Sequence, residues 1–198
     1  MNKISITAAS QVTEADLRDA RLGPRFGRMD LTSQLALLAV ESLDANFAAL
    51  PRDRIAVCLA AGAGSLSTDV EFWNGRDGAG GPSPMLFAYT LPSAAIGEIA
   101  IRHRLTGPNL CFVGADKILL PEAVDLIRRG EADGCVCISC NVISPAAGKW
   151  IQAAPAASAD AIFFQHNGGS SLELTEFDRD MKSLCANFCR RKNSEKRP

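Results

Sequence analysis

The sequence predicts an α/β fold: one layered unit with a mainly parallel sheet and helices on its faces. Short apolar runs typical of buried strands alternate with segments whose apolar residues recur at helical spacing, in the order βαβαβαββ. The runs at 55–59 and 110–113 are apolar throughout, as expected of strands covered on both faces. The 198 residues are enough for one domain with a sizeable core.

The first third of the chain predicts a strand, a loop, a helix and a second strand. Residues 3–8 alternate isoleucine with other residues and predict the opening strand, whereas residues 12–28 predict a short helix and loop. Asp30 is placed to cap a helix whose leucines fall on one face. Ile55–Leu59 predicts a central strand. The small residues after it lack both the GxGxxG spacing and the Walker lysine, so we expect no nucleotide site.

The middle of the chain predicts a helix, a turn, a buried strand and another helix. Ser93 is a suitable N-cap for the first helix, and Gly107-Pro108-Asn109 predicts the turn. Leu110–Val113 predicts the strand. Pro121 then predicts the first turn of a helix that ends at Gly130. Before this region, residues 75–84 form a Gly/Pro-rich stretch that predicts a mobile loop.

Cysteine spacing raises the question of a metal site. Cys135, Cys137 and Cys140 have CxCxxC spacing on a predicted strand over 134–144, which is compatible with zinc or redox chemistry. Strand alternation places Cys140 on the opposite face, and only the distant His166 offers a fourth ligand. We therefore expect small buried thiols, no metal and no cofactor. Seven cysteines without a secretory segment favour reduced thiols in the cytoplasm.

The C-terminal part predicts a loop, two strands and a tail. Residues 146–159 predict the loop, 160–165 a strand, and 166–169 a hairpin turn to a partner strand that starts at Leu172. We place one domain at 1–180 and a basic tail at 181–198, either disordered or a terminal helix. The tail has a net charge of +5 and the remainder −6, so the tail fits an acidic partner or a solubilising role.

Several separate segments resemble the N-terminal half of the β-ketoacyl-acyl carrier protein synthases, which have the thiolase fold. TLPSAAIGEIAIRHRLTGPN, followed by LIRRGEAD, is similar to that half, and LGPRFGRMDLTSQLALLAVESL, from Leu22 to Leu43, is similar to the family's first helix. The resemblance covers roughly residues 1 to 145 in the family's order. It implies a layered thiolase-like half for this chain.

The resemblance also implies where the family's chemistry is missing. In the family, the strand after the GPN turn leads to a nucleophilic cysteine at the start of a buried helix. Counting forward from Asn109 puts Asp116 at that position, and counting back from Leu126 puts Val113 there; Cys111 lies too early. The family's two catalytic histidines come from a C-terminal half that we expect to be absent. The resemblance therefore implies no catalytic residue in this chain.

Three functions remain open on these grounds. The first is a non-catalytic partner, similar to the chain-length-factor subunits of type II polyketide systems, in fatty-acid, polyketide or aryl-polyene biosynthesis. It would act as a homodimer or with a complete β-ketoacyl synthase. The alternatives are a small acyltransferase or decarboxylase that uses Asp116 and Lys117, or a module that binds acyl carrier protein through the basic tail. We expect no nucleic-acid partner, because no basic groove is evident, and no membrane span, because every apolar run is too short.

Overall fold

The computed structural model describes residues 4–78, 80–114, 116–166, 172–173 and 180–195. The strands are β1 (Ile4–Thr13), β2 (Ile55–Ala61), β3 (Asn109–Val113), β4 (Gly134–Ile143), β5 (Ala156–His166) and β6 (Leu172–Glu173). The α-helices are α1 (Leu31–Glu41), α2 (Leu66–Gly75), α3 (Pro84–Phe87), α4 (Ala94–His103), α5 (Asp116–Arg128), α6 (Pro145–Ile151) and α7 (Met181–Glu195). Short 3₁₀ turns lie at 14–18, 26–28, 44–49 and 52–54.

The strands form one sheet in the order β3-β2-β4-β5-β1-β6. β2 pairs in parallel with β3 and β4, and β5 is antiparallel to both β4 and β1. Four of the five long strands therefore run in one direction and β5 alone runs against them. This arrangement confirms the predicted mainly parallel sheet.

Helices cover both faces of the sheet, as predicted, and every residue of β2 is buried between them. On one face α1 and α4 enclose a core that contains Leu35, Val57, Leu59, Ile99 and Phe163. On the other face α5 and α7 enclose a core that contains Cys58, Leu119, Leu126, Phe164 and Phe188. Alternate residues of β2 thus serve two separate cores, which explains why its sequence is apolar at every position.

Of three predictions about where a helix begins, one is confirmed, one is confirmed for position only, and one is wrong. Asp30 caps α1 by accepting a hydrogen bond from the Ser33 N–H at 3.0 Å. Ser93 occupies the N-cap position of α4, but its side chain makes no capping hydrogen bond. Pro121 does not open α5, which already begins at Asp116. Burial of the leucines just before the proline compensates for the one helical hydrogen bond that a proline removes.

The predicted loop at 146–159 is instead the helix α6 followed by the start of β5. Ser144 caps this helix by accepting a hydrogen bond from the Ala147 N–H at 3.1 Å, and Pro145 takes the first helical position. The predicted hairpin between β5 and the next strand is wrong, because β6 pairs with β1. Residues 167–169 of the predicted turn lie outside the described residues.

The segment from residue 181 is helical, not disordered, over its described part. Met181, Leu184, Cys185 and Phe188 recur at helical spacing and are buried against the sheet. The residues beyond 195 lie outside the description. No described helix combines the length and apolarity needed to cross a bilayer.

Candidate functional site

The turn from β3 into α5 is where the resemblance places a nucleophile. β3 ends at Val113, Gly114 adopts a left-handed conformation with φ of +66°, and α5 begins at Asp116. The Gly114 N–H donates to the Ala61 carbonyl at 3.1 Å, which fixes the turn at the carboxyl end of β2. The strand, tight turn and helix predicted from the sequence therefore meet at one edge of the parallel strands.

The candidate residues at this turn have different surroundings. The backbone of Asp116 starts α5, while its side chain lies outside the described part; Lys117, the next residue, is exposed. Val113 is 59% exposed at the end of β3. Cys111 lies two residues earlier, half-buried against the core beneath α1 and α4, and burial raises the pKa of its thiol. Thus no residue from 113 to 117 carries a thiol.

His103, which ends α4, is held by carboxylates. Its Nδ1 lies 2.9 Å from Asp44 Oδ1 and its Nε2 lies 3.5 Å from Glu41 Oε2. The Phe47 ring meets the imidazole edge-on, with 5.6 Å between ring centroids. The two acidic partners come from α1 and from the 3₁₀ turn at 44–49, elements about 60 residues earlier in the chain.

Both histidines lie at the end of the sheet opposite the α5 entrance. Asp44, the partner of His103, is 4.0 Å from Arg52, which stands in the turn that leads into β2. His166 ends β5, and its N–H donates to the carbonyl of Asp133, the residue before β4, at 3.2 Å. Both imidazoles are therefore near the amino ends of β2 and β4. The seven residues of β2 span roughly 20 Å between that end and the carboxyl edge.

Three thiols, which we call the thiol cluster, meet beneath α5 and α7: Cys58 of β2 and Cys135 and Cys137 of β4. The Cys135 Sγ is 3.6 Å from the Cys58 Sγ and 3.9 Å from the Cys137 Sγ. All three side chains are buried. Cys140 is buried in the core on the other face, where its thiol donates to the Thr32 carbonyl at 3.8 Å, as strand alternation predicts.

The sequence prediction missed Cys58. In the parallel register of β2 and β4, Cys58 stands directly opposite Cys137, and only strand pairing brings them together. The Cys135 thiol donates to the Cys58 sulfur, and this contact together with the one from Cys137 lowers the pKa of Cys58 to about 5. Burial raises the pKa of the Cys135 and Cys137 thiols.

A buried carboxylate joins the two segments that carry the family resemblance. Glu98 of α4 accepts hydrogen bonds from Arg25 Nε at 2.7 Å, Arg25 Nη2 at 3.0 Å and the Tyr89 hydroxyl at 3.0 Å. The Arg25 hydrogen bonds lower the pKa of Glu98. Burial, together with the nearby carboxylate, raises the pKa of Tyr89 to about 12. This network anchors the segment before α1 to α4.

One edge of β3 is unpaired among the described strands. The Val57 N–H donates to the Pro108 carbonyl at 2.9 Å, and the Gly114 N–H donates to the Ala61 carbonyl at 3.1 Å. Because backbone groups alternate along a strand, the even-numbered residues of β3 bond to β2. The backbone N–H and C=O groups of residues 109, 111 and 113 consequently point away from the sheet. We call this side of β3 the open edge.

β3 and the two helices that cover β2 each carry an exposed apolar side chain. Helix α4 packs over β2 on one face, and α5 packs over β2 and β3 on the other. Ile101 of α4 is 63% exposed, Ile118 of α5 is 44% exposed, and Val113 ends β3 itself.

Solved structures of similar fold include several complexes. The ishigamide ketosynthase/chain length factor superposes with a TM-score of 0.67 at 20% identity, over 86% of this chain and 64% of that chain. The ketosynthase ApeO with its chain length factor ApeC from Xenorhabdus doucetiae superposes with a TM-score of 0.66 at 16% identity. The match covers 84% of this chain and 80% of that chain. The third structure, AntDE:AntF, is a type II polyketide synthase acyl-carrier protein in complex with its ketosynthase bound to the hexaketide. It superposes with a TM-score of 0.70 at 16% identity, over 88% of this chain and 67% of that chain.

These likenesses establish the fold, and the chain spans 64% of the length of the first of these structures. No curated protein sequence matches the chain. The family described as Beta-ketoacyl synthase, N-terminal domain, matches residues 6–166, which run from within β1 to the end of β5. The thiolase-like architecture predicted from the sequence is confirmed, and the chain belongs to the family of β-ketoacyl synthase N-terminal domains.

Proposed function

We propose that this chain is a non-catalytic subunit that pairs with a complete β-ketoacyl synthase in an acyl-chain-building complex, as a chain length factor does. The observation that carries the proposal is the open edge of β3, which ends at the exposed Val113. The similar solved structures agree with it, since two of them are described as a ketosynthase with a chain length factor.

The surroundings of the α5 entrance support a non-catalytic role. Acyl transfer to a thiol needs a cysteine whose thiolate is favoured by the helix N-terminus and by a nearby base. Here the first helical residue is Asp116, and the half-buried Cys111 lies earlier in the strand with a raised pKa. His103 and His166 lie at the other end of the sheet, out of reach of this turn.

Strand addition is the mode of pairing that fits the open edge. An unpaired strand edge presents rows of N–H and C=O groups that another strand can satisfy. The same contact would cover the exposed side chain of Val113, and each Å² of apolar surface removed from water contributes about 25 cal/mol. A synthase partner would also supply the nucleophile that the α5 entrance of this chain does not carry.

The test is co-expression of this chain with each ketosynthase encoded in the same genome. We expect co-purification with one of them as a stable complex, measured by size-exclusion chromatography with light scattering. Val113→Lys should abolish the complex, because it places a charge at the open edge. Trp150→Lys is the matched control, since Trp150 is 71% exposed on α6 and should not change pairing.

A proline offers a second probe of the open edge. Cys111→Pro removes an outward N–H without breaking a bond to β2, so it should weaken pairing while the fold persists. A monomer that co-purifies with no ketosynthase would contradict the proposal, and so would a homodimer that excludes them. Acyl-thioester turnover by the chain alone, lost in Asp116→Ala, would instead favour the acyltransferase or decarboxylase alternative.

The carrier-protein alternative has its own support in α7. The buried face of this helix leaves Lys182, Arg190 and Arg191 exposed on the other side. Acyl-carrier-protein binding through this face should weaken as salt is raised, because exposed charges are screened. Replacing Lys182 and Arg190 with Gln should have the same effect. Binding that is insensitive to both changes would exclude this helix as the docking surface.

A further inference from the structure

The thiol cluster has the spacing of a metal site. Cys135 Sγ lies 3.6 Å from Cys58 Sγ and 3.9 Å from Cys137 Sγ, and all three sulfurs lie within 4.8 Å of one another. Zinc binds thiolate sulfur at about 2.3 Å, so two sulfurs on one tetrahedral zinc are about 3.8 Å apart. Three sulfurs at that separation are each about 2.2 Å from the centre of their triangle. Two of the three Sγ–Sγ distances in the cluster therefore match the spacing of metal ligands, and the third is at most 4.8 Å.

The sheet holds this spacing rigidly. Cys58 and Cys137 are register partners on neighbouring parallel strands, and Cys135 lies on the same face of β4 as Cys137. All three side chains are buried between the sheet and helices α5 and α7. Ligands fixed by packed strands lose little freedom when a metal binds, which favours affinity.

We propose that Cys58, Cys135 and Cys137 form a structural site for a soft metal cation, Zn(II) or Cu(I). Thiolate sulfur selects these cations over hard ones such as Mg(II). Cys185 of α7 is buried in the same core but lies outside this group of sulfurs, and its thiol donates to the Ala161 carbonyl at 3.4 Å. Binding would release the thiol protons, and the cation would offset part of the thiolate charge, two of the three charges for Zn(II) and one for Cu(I). Because the unfolded chain does not hold the three sulfurs together, binding would stabilise the folded sheet. This site is independent of the proposed synthase partner.

The test uses the full chain, purified under reducing conditions after treatment with a chelator. Because the thiols are buried, the protein is unfolded and refolded with Zn(II), Cd(II) or Cu(I), and the bound metal is counted by mass spectrometry. We expect about one metal per chain, Cd(II) showing thiolate-to-metal charge-transfer absorbance. Cys135→Ala should lower affinity by more than about tenfold, whereas Cys140→Ala, on the same strand but the opposite face, should not.

Metal retention by Cys135→Ala would overturn the proposal, because it would assign the metal to other thiols such as the half-buried Cys111 or Cys189. If Cys135→Ala does not fold, the wild type and Cys140→Ala still decide the question through their melting temperatures. Both should melt at higher temperature after refolding with metal. A wild type that binds no soft metal and shows no such shift would refute the site.

Discussion

Gly107→Ala should destabilise the protein strongly, because the turn before β3 has no room for a side chain. A Cβ atom at residue 107 would lie 2.3 Å from the Ile55 carbonyl oxygen and 3.1 Å from the Asp53 carbonyl oxygen. Ordinary Cβ contacts begin near 3.4 Å. The backbone would have to retreat by about 1 Å from the start of β2, and β3 would move with it.

The size of the effect follows from the bonds on either side of the turn. The Thr106 N–H donates to the Arg52 carbonyl at 3.1 Å, and the Val57 N–H donates to the Pro108 carbonyl at 2.9 Å. Weakening both costs about 1 kcal/mol each, and overpacking adds about 1–3 kcal/mol. We therefore expect a loss of about 3–5 kcal/mol in the free energy of unfolding, a large part of the roughly 5–15 kcal/mol of a typical domain.

Urea unfolding followed by far-ultraviolet circular dichroism measures this loss. Gly97→Ala is the matched control, because a Cβ at this helical position meets nothing within 4 Å. Alanine is a better helix former than glycine, so the control should gain about 0.5–1 kcal/mol. An unfolding midpoint for Gly107→Ala equal to that of the wild type would refute the close packing of the turn against β2.

Two further predictions concern the core and the buried carboxylate. Phe163→Ala removes a fully buried ring whose centroid lies 5.1 Å from that of Phe47. Urea unfolding should show that the free energy of unfolding falls by about 3–5 kcal/mol. A decrease of less than about 1 kcal/mol would contradict this packing. The Arg25 hydrogen bonds lower the pKa of Glu98 in the folded state. The ionised Glu98 therefore stabilises the fold at pH values above its unfolded pKa of about 4.3, and this stabilisation is lost as the pH falls below that value. In Glu98→Gln the melting temperature should be lower at pH 7 and should fall less between pH 5 and pH 3; equal slopes would contradict the network.

The sequence determined most of the order of strands and helices, because the signals for these elements lie within short segments. The apolar run at 55–59 could only be a strand covered on both faces, and it is the central strand β2. Asp30 caps α1, and Gly130, with φ of +73°, follows the end of α5 as predicted. Helix caps, turns and hydrophobic periodicity depend on only a few neighbouring residues, so they can be identified directly from the sequence.

Local patterns were misleading where distant contacts outweigh them. Pro121 normally marks the first turn of a helix, yet α5 extends five residues before it because Leu119 and Leu120 gain burial against the sheet. The alanine- and proline-rich segment predicted as a loop forms α6, which packs against α2. The basic C-terminal segment forms α7 because Leu184 and Phe188 find a face of the sheet to cover.

The cysteines, the histidines and the edge strand also divide into features predicted from the sequence and features that only the tertiary structure shows. The sequence alone determined that no thiol follows β3 and that Cys137 and Cys140 face opposite sides of one strand. Only the tertiary structure decided that Cys58 joins Cys135 and Cys137, that His103 is held by Asp44, and that one edge of β3 is open. Strand register and sheet order are set by the simultaneous burial of two cores, a property of the whole chain that no short segment encodes.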